Sequence, residues 1–191
     1  MADIQSRMIA LQPQPAVATT AATGTAATGT AATGTTAPAF SAHLKAAVAA
    51  TKSYAVNSKG IPTDLAAYGN GKVPASALEQ VGATGHKLWA PAAESLTKLI
   101  ADAKKDGVTI GITDSYRSYA EQVDIAQRKG LYSRGGLAAQ PGTSEHGWGL
   151  AADLDLNGKA LSWMRANGDK YGFDENVPRE NWHWAYQPKA G

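Results

Sequence analysis

The sequence predicts a mixed α+β domain, and three observations predict it. Apolar residues alternate at Val108, Ile110 and Ile112 and again at Leu150, Ala152, Leu154 and Leu156, as in half-buried strands. They recur at helical spacing at Leu88, Ala92, Leu96, Leu99 and Ala103. A long glycine-rich connection, residues 130–149, then parts one strand from the next. Strands separated by helices and by such a connection favour α+β over a sandwich or a helical bundle.

Taken in chain order, Ile4, Met8 and Leu11 fall at i, i+4 and i+7, so residues 1–20 read as a tail that forms either a short docking helix or a frayed end. Residues 21–35 are three tandem copies of Ala-Ala-Thr-Gly-Thr, with Pro13 and Pro15 before them and Pro38 after. Almost no side chain there can build a core, so 21–38 reads as a flexible linker and 39–191 as the folded domain. Within that domain the alanine-rich stretch from Phe40 to Tyr54 is expected to be helical. The stretch from Ile61 to Pro74, with Pro62, Gly69 and Gly71, reads as turns.

The stripe from Leu88 to Ala103 marks a core helix, which Gly107 stops after Lys104 and Lys105. The strand that follows from Val108 runs out at Asp114. Ser118 with Glu121 three residues on is a capping box, so a helix is expected from Ser118 to Lys129, closed by Gly130, with Arg117 at the strand-to-helix junction. The connection 130–149 contains six glycines and Pro141, and loops of this length often carry function. From Leu150 to Leu156 the leucines and Ala152 share one face, while Ala151, Asp153 and Asp155 share the other. Leu161, Met164 and Tyr171 predict a last helix ended by Gly172. Trp182, Trp184 and Tyr186 then alternate in a last strand, with His183 on the opposite face.

Composition removes several function classes. The formal charge is +2 and the basic residues are scattered, so no nucleic-acid partner is indicated. Cysteine is absent, which excludes thiolate nucleophiles and Cys-ligated zinc and leaves only His and carboxylate to hold a metal. No run of about 18 apolar residues is present, so no membrane span is expected. The opening residues lack the apolar stretch of a secretory signal, which points to release by lysis, by phage-type or injection machinery, or by another export route.

Four histidines are available, His43, His86, His146 and His183. The last two lie near acids: Asp153 follows His146 by seven residues, and Glu180 precedes His183 by three. A catalytic zinc uses three protein ligands and keeps one position open for water or substrate. His146, Asp153 and His183 can supply the three, if their two strands pair and Gly147 and Gly149 turn the chain back. Glu180 then stands close enough to act as acid and base in turn, with Asp155 as its competitor. A lone histidine is more often structural than ligating, and His43 and His86 are read that way.

These residues resemble a family. Ser144-Glu-His146-Gly-Trp-Gly-Leu-Ala-Ala-Asp153 is similar to the Ser-x-His-x6-Asp signature, and Glu180-Asn-Trp-His183 to the Glu-x-x-His signature, of zinc D-alanyl-D-alanine carboxypeptidases related to vancomycin-resistance peptidases. Asp114-Ser-Tyr-Arg117-Ser-Tyr119-Ala-Glu-Gln122 resembles the arginine-bearing segment of that family, and Asn70-Gly71-Lys-Val-Pro74 a stretch upstream of it. The resemblance covers roughly residues 60–187. It implies the hedgehog-like α+β fold, in which a small antiparallel sheet carrying a zinc site is flanked by helices. It implies Zn2+ held by His146, Asp153 and His183, with Glu180 as catalytic acid/base and Arg117 on the substrate or its polarised carbonyl. Ser144 and Gln122 match positions that help hold substrate.

The activity expected from the resemblance is hydrolysis of peptide bonds in peptidoglycan stem peptides. The scissile bond is either terminal D-Ala-D-Ala or internal, such as L-Ala-D-Glu. A different class of reading is a wall-binding or partner-binding module in which the zinc is structural, although such sites normally close with four ligands. A third is a wall hydrolase delivered by its N-terminal segment, which would dock to a delivery or export apparatus.

Overall fold

Helical spacing becomes a real core stripe in the computed structural model, which describes residues 54–187. The readings that concern residues 1–20, the linker 21–38, the helix from Phe40 and His43 lie outside those residues.

Helix α1 (Ala90–Lys105) begins at Trp89, carries Pro91 in its first turn, and buries Ala92, Ala93, Leu96, Leu99 and Ala103. That face packs against a 3-10 turn (Gly168–Tyr171) and a hairpin of two short strands, β1 (Glu79–Gln80) and β2 (Lys87–Leu88). Its contacts are tied by hydrogen bonds: Ser95 Oγ donates to the Tyr171 carbonyl at 2.5 Å, and Tyr171 Oη donates to Asp102 at 2.8 Å. Strand β3 (Gly111–Asp114) follows, then α2 (Tyr119–Lys129), β4 (Ala151–Asp155), α3 (Gly158–Asn167), β5 (Phe173–Asp174) and β6 (His183–Tyr186). The expected α+β architecture of a small antiparallel sheet flanked by helices is therefore present.

The sheet has the order β3-β4-β6-β5, and every neighbouring pair is antiparallel. Directly opposed residues of an antiparallel pair share a face. Trp184 opposite Ala152 faces the core, with Leu154, Met164, Phe173, Leu96 and Leu99 in the same cluster. The register that puts Trp184 there puts His183 opposite Asp153 on the other face. Pairing of β3 with β4 shifts by one residue between Ile112 and Asp114, a bulge that brings Asp114 across from Asp153.

Several boundaries differ from expectation for identifiable reasons. Val108 and Ile110 are buried as predicted but precede the ladder, because β4 ends at Asp155, the partner of Gly111. The last helix stops at Asn167 and tightens into the 3-10 turn, since Gly168 lies against the Phe173 carbonyl and the Trp184 ring, where a Cβ would have no room. Trp182 precedes the last strand and lines a cavity instead of joining Trp184 in the core. The capping box is formed in full. Ser118 Oγ accepts from the Glu121 N–H, and the Glu121 carboxylate accepts from the Ser118 N–H at 2.7 Å.

Candidate active site

Three atoms converge on the sheet face away from the core. His146 Nε2 lies 3.2 Å from Asp153 Oδ1 and 3.2 Å from His183 Nδ1, and His183 Nδ1 lies 3.3 Å from Asp153 Oδ1. Among the described residues this trio is the grouping of His and acidic side chains whose ligand atoms fit a single ion. His146 is 2% exposed and His183 6%, so the cluster is buried rather than a chance surface pair.

Each side chain arrives by a different device. Asp153 and His183 are delivered by the β4–β6 register. His146 sits in a 3-10 turn (Glu145–Trp148) that ends on Gly149 at φ 67°, a left-handed conformation that suits glycine. The backbone of that turn is stapled to the strand-to-helix junction, where the Arg117 N–H donates to the His146 carbonyl at 3.1 Å. Gly147 packs so closely that a Cβ would overlap Asn70 Oδ1 and Gln122 Nε2. Gly147→Ala is accordingly expected to cost about 1–3 kcal/mol of stability in a denaturant melt, and to weaken metal binding by displacing His146.

The outer hydrogen bonds decide which ring nitrogens face inward. His146 Nδ1 lies 2.7 Å from the Ser115 carbonyl, an acceptor only, so this nitrogen carries the proton and Nε2 points a lone pair at the centre. His183 Nε2 lies 3.1 Å from Glu145 Oε2 and donates to it, which leaves Nδ1 facing Asp153. Glu145 in turn accepts from Asn176 Nδ2 at 2.9 and 3.0 Å.

Charge in the cluster follows from these contacts. Burial disfavours the His183 cation, but the Asp153 and Glu145 carboxylates beside it outweigh that penalty and push its pKa up to about 9. Burial likewise opposes ionisation of Asp153, yet the imidazoles of His146 and His183 beside it hold it far below the usual carboxylate range. The inward-facing lone pairs of His146 and Asp153 thus surround a proton on His183. The cluster is built for a positive charge at its centre. Nitrogen and oxygen ligands at about 2.0–2.2 Å around a tetrahedral ion would stand about 3.3–3.6 Å apart, and the observed edges of 3.2, 3.2 and 3.3 Å lie at or just under the short end of that range.

A cavity of about 510 Å³ opens beside the trio. Arg117, Ser144, Glu180 and all three members of the trio line it, together with Lys129, Tyr132 and an apolar wall that includes Ile125, Leu137, Val177 and Trp182. Glu180 is 8% exposed, and burial pushes its carboxyl above the ordinary carboxylate range, with His183 acting in the other direction and the Asp153 charge adding to the rise. The residue before it, Arg179, has φ 72° and stacks its guanidinium 4.9 Å from the Tyr132 ring centroid, while Tyr132 Oη donates to the Pro178 carbonyl at 3.1 Å. The segment that bears Glu180 is therefore pinned to the loop across the cavity. Arg117 donates from Nε and Nη2 to Asp114 at 3.1 and 2.6 Å, and Nη2 also reaches Asp153 at 3.4 Å.

Two expected site residues stand elsewhere. Gln122 is not on the cavity wall; its amide is spent on Asn70 (2.9 Å), the Arg117 carbonyl (3.3 Å) and the Gly142 N–H (2.8 Å), which makes it a brace for the loop that carries His146. Asp155, the competitor of Glu180, is exposed at the end of β4 and lines no part of the cavity. His86 bonds Ser115 Oγ at 3.1 Å, a structural role as expected. Glu145, Asn70 and Asn176 received no role from the sequence, because hydrogen-bond partners of ligands and loops follow no period. Only the adjacency of Glu145 to His146 hinted at it.

Comparisons with known proteins point one way. The family model for VanY, described as D-alanyl-D-alanine carboxypeptidase, matches residues 85–189, more than half of the chain. YodJ of Bacillus subtilis is 32% identical over a match covering 51% of this chain and 45% of that protein. A D-alanyl-D-alanine carboxypeptidase of Enterococcus faecalis is 28% identical, over 57% of this chain and 51% of its own length. The chain thus spans about half the length of these two relatives. Among solved structures, a mutant of the vancomycin-resistance D,D-pentapeptidase VanY in complex with Zn(II) superposes with a TM-score of 0.50 at 26% identity, covering 60% of this chain and 82% of that one. The LdcB LD-carboxypeptidase gives 0.51 at 27% identity, over 62% and 72%.

Proposed function

Since the chain belongs to the VanY family of D-alanyl-D-alanine carboxypeptidases, we propose that it is a zinc peptidase acting on the stem peptides of peptidoglycan. The observation that carries this reading is the buried triangle of His146, Asp153 and His183 opening onto a cavity that also holds Glu180 and Arg117. Those three ligands would hold the ion. Zinc supplies Lewis acidity, making water nucleophilic near neutral pH and polarising the scissile carbonyl.

The chain's own residues do the rest. Glu180 takes a proton from the attacking water as its oxygen bonds to the carbonyl carbon. When the C–N bond breaks, the same carboxyl returns that proton to the leaving amine. A carboxyl with a raised affinity for protons is suited to both halves. Arg117, fixed by Asp114, offers its guanidinium to a substrate carboxylate or to the developing oxyanion. Ser144 adds a polar group on the same wall, and the apolar wall suits alanine methyl groups. Glu145 faces the far nitrogen of His183 and is not a fourth ligand, so the set stays at three, which favours a catalytic ion over a structural one.

The terminal D-Ala-D-Ala bond is the favoured target, since the solved relative VanYB was obtained in complex with D-alanine-D-alanine. Digestion of purified walls followed by mass analysis tests this: free D-alanine is expected, freed stems or opened cross-links would move the assignment to an endopeptidase, and unchanged walls would refute hydrolysis. The segment 1–20 is proposed to dock to a delivery or export apparatus through the linker 21–38. Deleting residues 1–35 should then leave wall hydrolysis intact.

Holding zinc at the trio would require His183 to give up a proton. With an ordinary value of 6.5 raised to about 9, that proton is bound at neutral pH in the metal-free fold. Its stabilising ion pair is complete below pH 6.5 and is lost as pH rises through about 9. Calorimetry in buffers of different ionisation enthalpy should show about one proton released per zinc near pH 7, with apparent affinity rising about tenfold per pH unit until pH 9. No proton release would contradict this charge assignment.

A further inference from the structure

The two imidazoles are held by unlike means. The outer partner of His146 is a backbone carbonyl, that of Ser115, which no side-chain substitution removes. His183 depends on a side chain, Glu145, at 3.1 Å. The rings stand nearly edge to face, at 68° with centroids 4.9 Å apart. Turning the His183 ring over would swap Nδ1 for a carbon at the centre of the trio, and outside the trio the bond from Nε2 to Glu145 is what opposes that flip.

Glu145 is itself immobilised. Asn176 donates to both of its oxygens, and its backbone carbonyl accepts from the Leu150 N–H at 3.1 Å, at the start of the strand that bears Asp153. Its carboxylate oxygens thus accept from His183 on one side and from Asn176 on the other. It lies one residue before a ligand and on the rim shared by the main cavity and a neighbouring one of about 370 Å³.

We propose that Glu145, clamped by Asn176, is the positioning residue that fixes the ring orientation and tautomer of His183 and thereby sets the affinity of the site for zinc. The proposal rests on the zinc reading given above. An anionic acceptor also makes the ligating nitrogen a better donor, so charge and geometry act together.

The test is zinc affinity, measured on the full chain by competition with a chromophoric chelator, with circular dichroism to verify folding. Glu145→Ala should weaken zinc binding by about 10–100-fold. Glu145→Gln, which keeps an acceptor but not the charge, should recover part of that loss, and Asn176→Ala should fall between Glu145→Gln and Glu145→Ala. Nitrogen-15 spectra of the zinc-loaded protein should show the protected His183 Nε2–H in the parent and in Glu145→Gln but not in Glu145→Ala. A folded Glu145→Ala that binds zinc within twofold of the parent overturns the proposal. If the alanine variant does not fold, parental affinity in both Glu145→Gln and Asn176→Ala overturns it instead. A parent that binds no zinc sinks the zinc reading and this proposal together, whereas a zinc-binding parent with an indifferent Glu145 sinks this proposal alone.

Discussion

Replacing Glu180 by alanine is expected to leave zinc in place and to lower hydrolysis of stem peptides by about 10²–10⁴-fold, the usual worth of a positioned acid/base. The separation of the two readouts is what the geometry demands. Glu180 lines the cavity beside the trio, and its carboxyl is not one of the three converging atoms. Removing it therefore subtracts the proton carrier without opening the ligand triangle. Glu180→Gln should fail almost as badly, because an amide keeps the shape but cannot accept the proton. Metal analysis and turnover of a D-Ala-D-Ala peptide, measured on one preparation, check both halves. Undiminished turnover would take Glu180 out of the mechanism, and loss of zinc would recast it as a ligand.

Asp153→Ala should have the opposite signature, loss of metal and activity together. One ligand contributes about a quarter to a third of a binding energy of roughly 10–16 kcal/mol, so zinc affinity should fall by about 10²–10⁴-fold. The damage extends beyond one bond. Asp153 is the strongest support for the charge on His183 and accepts from Arg117 Nη2 at 3.4 Å, so its removal also loosens the guanidinium on the cavity wall. Equilibrium dialysis against zinc measures the effect. Parental affinity and stoichiometry in the folded variant would contradict the assigned ligand set.

Two of the three candidate ligands could be read in the sequence because strands have a period of two. Once Leu150, Ala152 and Leu154 are assigned to the core, Asp153 must face away, and once Trp184 is buried, His183 must as well. The capping box at Ser118 was legible for a similar reason, since a fixed spacing encodes a local bond. What resisted reading obeys no local spacing. Strands β1, β2 and β5 are two residues each, too short to show alternation. The bulge that sets Asp114 against Asp153 depends on a partner strand some forty residues away. Gln122 matched a substrate-holding position by pattern, but its bonds to Asn70 and Gly142 become visible only when the loops are assembled. Trp182 followed the aromatic alternation in sequence and breaks it in space, because the strand starts one residue later.

Anomalous diffraction from a zinc-loaded crystal is the most direct measurement of the account. A single strong peak is predicted within about 2.0–2.2 Å of His146 Nε2, Asp153 Oδ1 and His183 Nδ1. Zinc found only elsewhere, or none at the trio in the presence of excess ion, would contradict it.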